Sequence, residues 1–248
     1  MTLRLQAVRR MRSLSGHLAP AIARTGGATQ LLVNQYCKGR GIEIGPGGAP
    51  YAPKALMVDR YRDHHGRAIP LDVNADATAL PIRSTSTDYL LSAHCLEHIP
   101  DTLAALTEWM RVLRPGGHLV LILPHVDRTF DRGRPLATLD HHLTERGIHV
   151  DPEDPPHWAE YARWSAPRTS EREPDGREAR RPDGSWNARY FVETGSIHYH
   201  AWTQHEMTEV VAGIGGQICA VVERLPDRSD SFAIVARVHS GPYAPTLV

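Results

Sequence analysis

Aromatic side chains are scarce in this chain of 248 residues: Phe, Trp and Tyr make up 6%, and only three residues are Phe. That scarcity disfavours a pocket built to clasp a flat aromatic ligand between rings. Cysteine is scarcer still. Cys37, Cys95 and Cys219 are odd in number, scattered and in no metal-finger spacing, which excludes a disulfide framework and suits reduced thiols. Net charge is absent as well, with 28 basic and 28 acidic residues, so no global field favours nucleic acid as a partner. No apolar run reaches the length needed to cross a bilayer, and no signal-type apolar segment stands near Met1, so a cytoplasmic protein without a transmembrane segment is expected. At 41% hydrophobic residues the chain still has enough apolar material for one large α/β domain.

Glycine, by contrast, is concentrated where it matters. Gly41-Ile42-Glu43-Ile44-Gly45-Pro46-Gly47-Gly48 reads as a short apolar strand holding one acid and ending in three glycines. Lacking Cβ atoms, Gly45, Gly47 and Gly48 can take positive φ and let a ligand approach the backbone at the strand's carboxyl end. A dinucleotide site would next open a helix whose N-terminus holds pyrophosphate. Pro50 and Pro53 leave little room for that helix before the next strand, Ala55-Leu56-Met57-Val58-Asp59. The ligand implied needs a ribose clamp and close backbone but no anion cradle, which fits S-adenosylmethionine. Asp59, closing that strand, can accept both ribose hydroxyls, and Asp76, shortly before Leu80-Pro81, can accept from an adenine amino group.

The following segments read as a strand over residues 87–94, a helix over 102–113, a turn at Arg114-Pro115-Gly116-Gly117 and a strand over 118–123. Taken in this order, the Glu43 glycine loop, Asp59, Asp76 before Leu80-Pro81, and Leu113-Arg-Pro-Gly-Gly resemble the class I S-adenosylmethionine-dependent methyltransferases over residues 38–124. The resemblance implies a Rossmann-like, doubly wound α/β sheet. It assigns cofactor roles to Glu43, Gly45, Gly47, Asp59, Asp76, Ala77 and Ser92. The shortened stretch after Gly48 departs from the family and leaves its usual first helix in doubt. Further on, residues 203–212 read as a helix, and residues 217–224 with 231–238 as a C-terminal antiparallel hairpin, an ending the family shares.

Two regions surround this core. Residues 1–36 interleave Arg4, Arg9, Arg10, Arg12 and Arg24 with apolar residues at helical spacing, as expected of a lid helix or a helix packed on the sheet edge. The methyltransferase domain proper is expected over 37–248, with an acceptor-side insertion at about 125–200. Within it residues 168–184 are almost free of apolar side chains, and the stretch from Trp158 to Arg189 reads as a mobile loop over the substrate.

Histidine is abundant, at fifteen. His94 and His98 follow the fourth strand and His125 the fifth, where a doubly wound sheet places its ligands; His141, His142, His149, His198 and His200 follow later. A histidine suits the removal of a proton from a hydroxyl acceptor during methyl transfer. His141 and His142 are the catalytic candidates. The segment from Thr129 to His142, and Ile197-His-Tyr-His-Ala-Trp-Thr203, resemble parts of bacterial methyltransferases that modify polysaccharides and glycolipids, notably the mycobacterial sugar O-methyltransferases of methylmannose polysaccharide synthesis. A saccharide or glycoside hydroxyl is therefore the expected acceptor, with a small secondary metabolite or quinone as the alternative. A non-catalytic cofactor-binding scaffold is the alternative of another class. A divalent cation such as Mg²⁺ would find oxygen ligands in Asp127, Asp131 and Asp140, with His141 beside them. A homodimer is compatible with this reading.

Overall fold

A computed structural model of the chain describes residues 27–64, 67–145, 155–169 and 179–239. The N-terminal arginines at positions 4 to 24 and His149 lie outside the described residues, as do residues 170–178 of the polar stretch. In chain order the elements are α1 (Ala28–Tyr36), β1 (Gly41–Ile44), β2 (Leu56–Asp59), β3 (Asp63–His64), β4 (Arg67–Ala68), β5 (Val73–Asn74), β6 (Thr87–Ala93), α2 (Thr102–Val112), β7 (Leu113–Pro124), α3 (Leu139–Glu145), α4 (Pro155–Trp164), α5 (Ala166–Thr169), α6 (Ala188–Glu193), α7 (Gln204–Gly213), β8 (Gly216–Val222) and β9 (Ser231–Val238).

Seven strands make one sheet in the order β5-β2-β1-β6-β7-β9-β8. The first five pair in parallel, while β9 runs antiparallel to both β7 and β8. This is the doubly wound α/β sheet with a reversed C-terminal hairpin expected from the sequence. Burial on both faces explains why the central strands read as continuous apolar runs rather than alternating ones. In β7, Leu119, Leu121 and Leu123 join one core layer with Ile42, Ile44, Leu90 and Trp109; Val120 and Ile122 join the other with Leu32, Val33, Tyr51 and Leu91.

Arg114-Pro-Gly-Gly does not separate helix from strand as a free turn. It lies inside β7, whose register on β6 slips after Thr87↔Leu113 to Tyr89↔His118, and Gly116 takes the positive φ (78°) that the irregularity requires. No helix forms between Gly48 and β2, in keeping with the prolines there. α1 packs Leu32 and Val33 into the second core layer, and its N-terminus is tied down by Asp227, which accepts from the Thr29 backbone N–H at 3.1 Å and from the Thr29 hydroxyl at 2.8 Å. α7 starts on a capping box, with Thr203 as the N-cap and Glu206 reaching back to it.

The flanks of the polar stretch are not a bare loop. Tyr161 and Ala166 on one side, and Ala179, Phe191, Ile197 and Tyr199 on the other, form a third apolar cluster, with Trp158 and Trp186 packed against it. The expectation of a mobile segment from Trp158 to Arg189 is thus corrected for its described ends. Their few aromatic residues bury together, and the low apolar content between them had masked this.

Candidate active site

The loops at the carboxyl ends of the parallel strands enclose a cavity of ≈ 740 Å³. Part of its wall is built by the glycine loop. Gly45 (φ 65°) passes so close to Cys95 that a Cβ would lie 2.6 Å from its Cβ and Sγ, while Gly47 (φ 55°) faces open space, where any side chain would intrude on a ligand. Both glycines line the cavity, together with Asp59, Asp76 and Ala77. Asp59 is oriented by the Tyr61 backbone N–H, which donates to its Oδ1 at 2.9 Å. Asp76 Oδ1 accepts from the Thr78 N–H (2.9 Å) and hydroxyl (2.8 Å). Ala77 is anchored through its carbonyl, which accepts from the buried Trp109 indole at 2.9 Å.

Glu43 and Ser92 are placed differently. Neither belongs to the cavity wall. Glu43, 1% exposed, accepts the backbone N–H of Tyr51 at 2.9 Å and of Ala52 at 2.8 Å. It therefore braces the segment that follows the glycines and shapes the loop from behind. Ser92 is buried in β6 beside the Cys95 thiol. Burial raises that thiol far above the usual range, which leaves Cys95 a spacer and not a nucleophile.

The same cavity is also lined by His94, His98 and Asp101. His94 takes a left-handed backbone (φ 51°) at the end of β6, and its Nε2 meets the Ser231 Oγ at 2.7 Å; that hydroxyl donates in turn to Asp230 at 2.7 Å. His98 Nδ1 donates to the Ile197 carbonyl at 2.8 Å, so Nε2 keeps the lone pair. Between the two histidines lies Glu97, fully buried, with its Oε1 3.6 Å from His94 Nδ1 and 3.9 Å from His98 Nε2. Burial pushes the Glu97 carboxyl up to about 7, while burial and the neighbouring His198 push His98 down to about 3. Glu97 escaped the sequence reading. Its signal was an acid set between two histidines just past a strand end.

His141 and His142, the sequence candidates for catalysis, stand on α3 and do not border this cavity. His142 is buried, and its Nε2 lone pair accepts from the Trp202 indole at 3.0 Å. Burial first, then His200 and His141, lower it to about 2. His141 Nε2 is 3.1 Å from Glu145. Asp131 is not poised for a cation either. Only 1% exposed, it accepts from His198 Nδ1 (2.6 Å), Ser165 Oγ (2.6 Å) and Arg134 (3.0 Å), and these partners hold it well below the usual carboxylate range despite burial. Arg134 also donates to the carbonyls of His198 and Tyr199, so the network fixes the chain that carries His198.

Among the described residues, two groups bring ligand-type atoms within 4.8 Å of one another: His141, Glu145, His157 and His200, and Glu97, His98 and His198. Asp127 and Asp140 belong to neither.

Residues 23–121 match the family model of a methyltransferase domain. That match covers 99 of the 248 residues and spans α1 and the parallel strands of the sheet. Among curated relatives, the domain is similar to demethylmenaquinone methyltransferase of Staphylococcus haemolyticus (strain JCSC1435), at 37% identity over 75 residues, 30% of this chain and 31% of that one. The Staphylococcus aureus (strain JH9) counterpart is 44% identical over 75 residues with the same coverage. The chain thus spans about a third of the length of these relatives. Solved structures with a similar arrangement include 1,6-didemethyltoxoflavin-N1-methyltransferase of Burkholderia thailandensis with bound 1,6-didemethyltoxoflavin and S-adenosylhomocysteine (13% identity, TM-score 0.48, 95% of this chain and 85% of that one). A second is an S-adenosylmethionine-dependent methyltransferase of Methanosarcina mazei (15% identity, TM-score 0.45, 85% and 98%). No helix among the described residues of the methyltransferase domain is long and apolar enough to cross a membrane.

Proposed function

We propose that the chain is an S-adenosylmethionine-dependent O-methyltransferase for a hydroxylated small molecule. The observation that carries this reading is one cavity whose wall brings together the glycines, Asp59 and Asp76 with His94, His98 and Asp101, Glu97 lying close to both histidines. Gly45 and Gly47 admit the cofactor to the backbone, Asp59 accepts the ribose hydroxyls and Asp76 with Ala77 borders the adenine. When bound, the cofactor supplies the activated methyl group and the leaving sulfide.

Transfer from a sulfonium is an in-line displacement, so the protein has to align the acceptor and take up the hydroxyl proton. His98, whose Nε2 keeps its lone pair, would take up that proton, and the Glu97 carboxyl 3.9 Å from the same nitrogen would offset the charge it gains. The proton-accepting role assigned from the sequence to His141 or His142 therefore moves to the His94, Glu97 and His98 group. A merely scaffolding role would leave a buried carboxyl set between two cavity-lining histidines without a purpose.

A saccharide or glycoside hydroxyl is the first acceptor to test, because His94, His98, Asp101 and Thr194 offer hydrogen-bonding groups in the wall beside the apolar Ile99, Pro100 and Ala104. A quinone, supplied in its reduced form, is the second, favoured by the demethylmenaquinone methyltransferase relatives. The test is transfer of labelled methyl onto a panel of mono- and oligosaccharides alongside quinols. Label on a sugar hydroxyl supports the first acceptor and label on a quinol selects the second. Cofactor binding with no transfer to any hydroxyl overturns the O-methyltransferase reading.

A further inference from the structure

We propose that His141, Glu145, His157 and His200 form a binding site for one first-row transition-metal ion of the zinc type, which ties the acceptor-side helices to the methyltransferase core. The site comes from three separate segments. His141 and Glu145 stand one helical turn apart on the same side of α3; His157 enters from the first turn of α4; His200 belongs to the extended run before α7.

All three imidazoles present the same atom. Nε2 of His141 and of His157 lie 3.1 and 2.9 Å from Glu145 Oε1, and Nε2 of His200 lies 2.9 Å from Oε2. A tetrahedral ion with bonds of roughly 2.0–2.1 Å holds its ligand atoms about 3.3 Å apart; the four donor atoms here lie within 4.8 Å of one another and would close in around it. The rings pack edge to face, with centroids 5.0 Å apart for His157 and His200 and 5.3 Å for His141 and His200, the arrangement of imidazoles converging on a point. His200 is further steadied from behind, its Nδ1 meeting the Thr102 hydroxyl at 3.3 Å, as the outer partner of a metal-binding histidine does.

The donor set decides the class of ion. Three nitrogens and one carboxylate suit Zn²⁺ and its neighbours, whereas Mg²⁺ takes oxygen ligands and keeps several waters. The expectation of Mg²⁺ on Asp127 and Asp140 is thereby replaced by a different ion on different residues. His142, although adjacent, is engaged by the Trp202 indole and is not a ligand. Four protein ligands describe a closed, structural site. Thr102 follows Asp101 of the cavity wall, so the ion would stiffen that wall without meeting the substrate. The inference is independent of the acceptor and of the methyl-transfer chemistry.

The experiment uses tag-free full-length protein. Elemental analysis after dialysis, Zn²⁺ titration of metal-stripped protein and thermal unfolding with and without Zn²⁺ are compared for the wild type, His141→Asn, and the double variant His157→Asn with His200→Asn. One Zn²⁺ per chain, a higher Tm with Zn²⁺ and visible bands of four-coordinate Co²⁺ are expected. His141→Asn changes a half-exposed position and should fold; it should weaken Zn²⁺ binding by at least the about 10–100-fold that altering an outer-shell partner costs. The double variant should bind no stoichiometric ion. Absence of bound metal and of any Tm response in the wild type overturns the proposal, as does Zn²⁺ affinity unchanged in His141→Asn, which would place the ion elsewhere.

Discussion

Replacing Glu43 by alanine separates a direct cofactor ligand from a brace of the cofactor loop. The Glu43 carboxylate is 1% exposed and accepts two backbone N–H groups, from Tyr51 at 2.9 Å and Ala52 at 2.8 Å, both on buried residues. Hydrogen bonds to a charged group contribute roughly 1.5–3 kcal/mol each, and truncation leaves both donors unsatisfied away from water. The loss expected for Glu43→Ala is therefore about 3–6 kcal/mol, at least a fifth of the ~5–15 kcal/mol typical of a whole domain. At about 2–4 °C per kcal/mol for a chain of this size, Tm should fall by about 6–24 °C. Glu43→Gln keeps one acceptor but turns an amide N–H₂ toward the second donor, so it should recover only part of the loss. Urea unfolding and calorimetric titration with S-adenosylhomocysteine measure the two effects on the same samples. Stability lost with weaker binding, the binding partly restored at low temperature, is the signature of a brace. Full stability combined with lost binding would refute the reasoning, since Glu43 would then touch the cofactor and not the loop.

Asp59→Ala should behave oppositely, weakening cofactor binding by about 10–100-fold, the equivalent of one or two charge-assisted hydrogen bonds, with little change in urea midpoint; equal affinity by calorimetry removes Asp59 from the ribose. His98→Ala should lower kcat by about 100-fold or more while leaving cofactor affinity nearly intact, as for a proton-transfer group, and unchanged turnover moves that role to His94. For Glu97, burial holds the folded carboxyl near 7, above the 4.5 of an ordinary glutamate, so its contribution to stability is full below pH 4.5 and is lost as pH rises through 7. The difference amounts to about 3 kcal/mol, and Glu97→Gln should remove it, gaining on the wild type between pH 4.5 and 8 in urea unfolding; parallel pH curves for the two proteins would show that Glu97 is ionised throughout. Asp131→Asn should cost about 3–5 kcal/mol at pH 7, the scale for breaking a buried ion network, and a stability change below 1 kcal/mol would show the network to be dispensable.

How far these features were legible depends on how local their signals are. The glycine loop, Asp59 and the reversed hairpin could be read because each is written in consecutive residues whose conformational demands are strong: glycines where φ must be positive, prolines where a helix is barred, an acid closing an apolar strand. The doubly wound sheet follows from that local grammar once parallel strands must be joined by crossovers, while the order of its strands comes from the structure. Glu43 was recognised by position, yet its carboxylate points at Tyr51 and Ala52 and not at the cavity, and sequence carries no record of which side of a loop a side chain serves. The aromatic cluster of Trp158, Tyr161, Trp186 and Phe191 was hidden for another reason. Its members flank a stretch so polar that the local average suggests no core, although buried area depends on which residues meet in space.

The histidines show the same limit most clearly. Along the chain His198 and His200 are separated by one residue and look like members of a single tract. In an extended backbone alternate side chains turn to the same side, yet here the two part: His198 meets Asp131, while His200 meets Glu145 and Thr102. Arg134 holds the carbonyls of His198 and Tyr199, so the intervening backbone is pinned by an interaction that no periodicity announces. One short segment thereby serves two sites, contributing His198 beside the proton-handling Glu97 and His98, and His200 to the metal-type cluster. Coupling between them follows from covalent geometry. An ion that fixes His200 also restrains Tyr199 and His198, so filling the outer site should narrow the range of positions open to His98 at the cavity wall. Zn²⁺ should then raise kcat through the acceptor end while leaving cofactor affinity unchanged; a metal effect confined to cofactor affinity would break the proposed link.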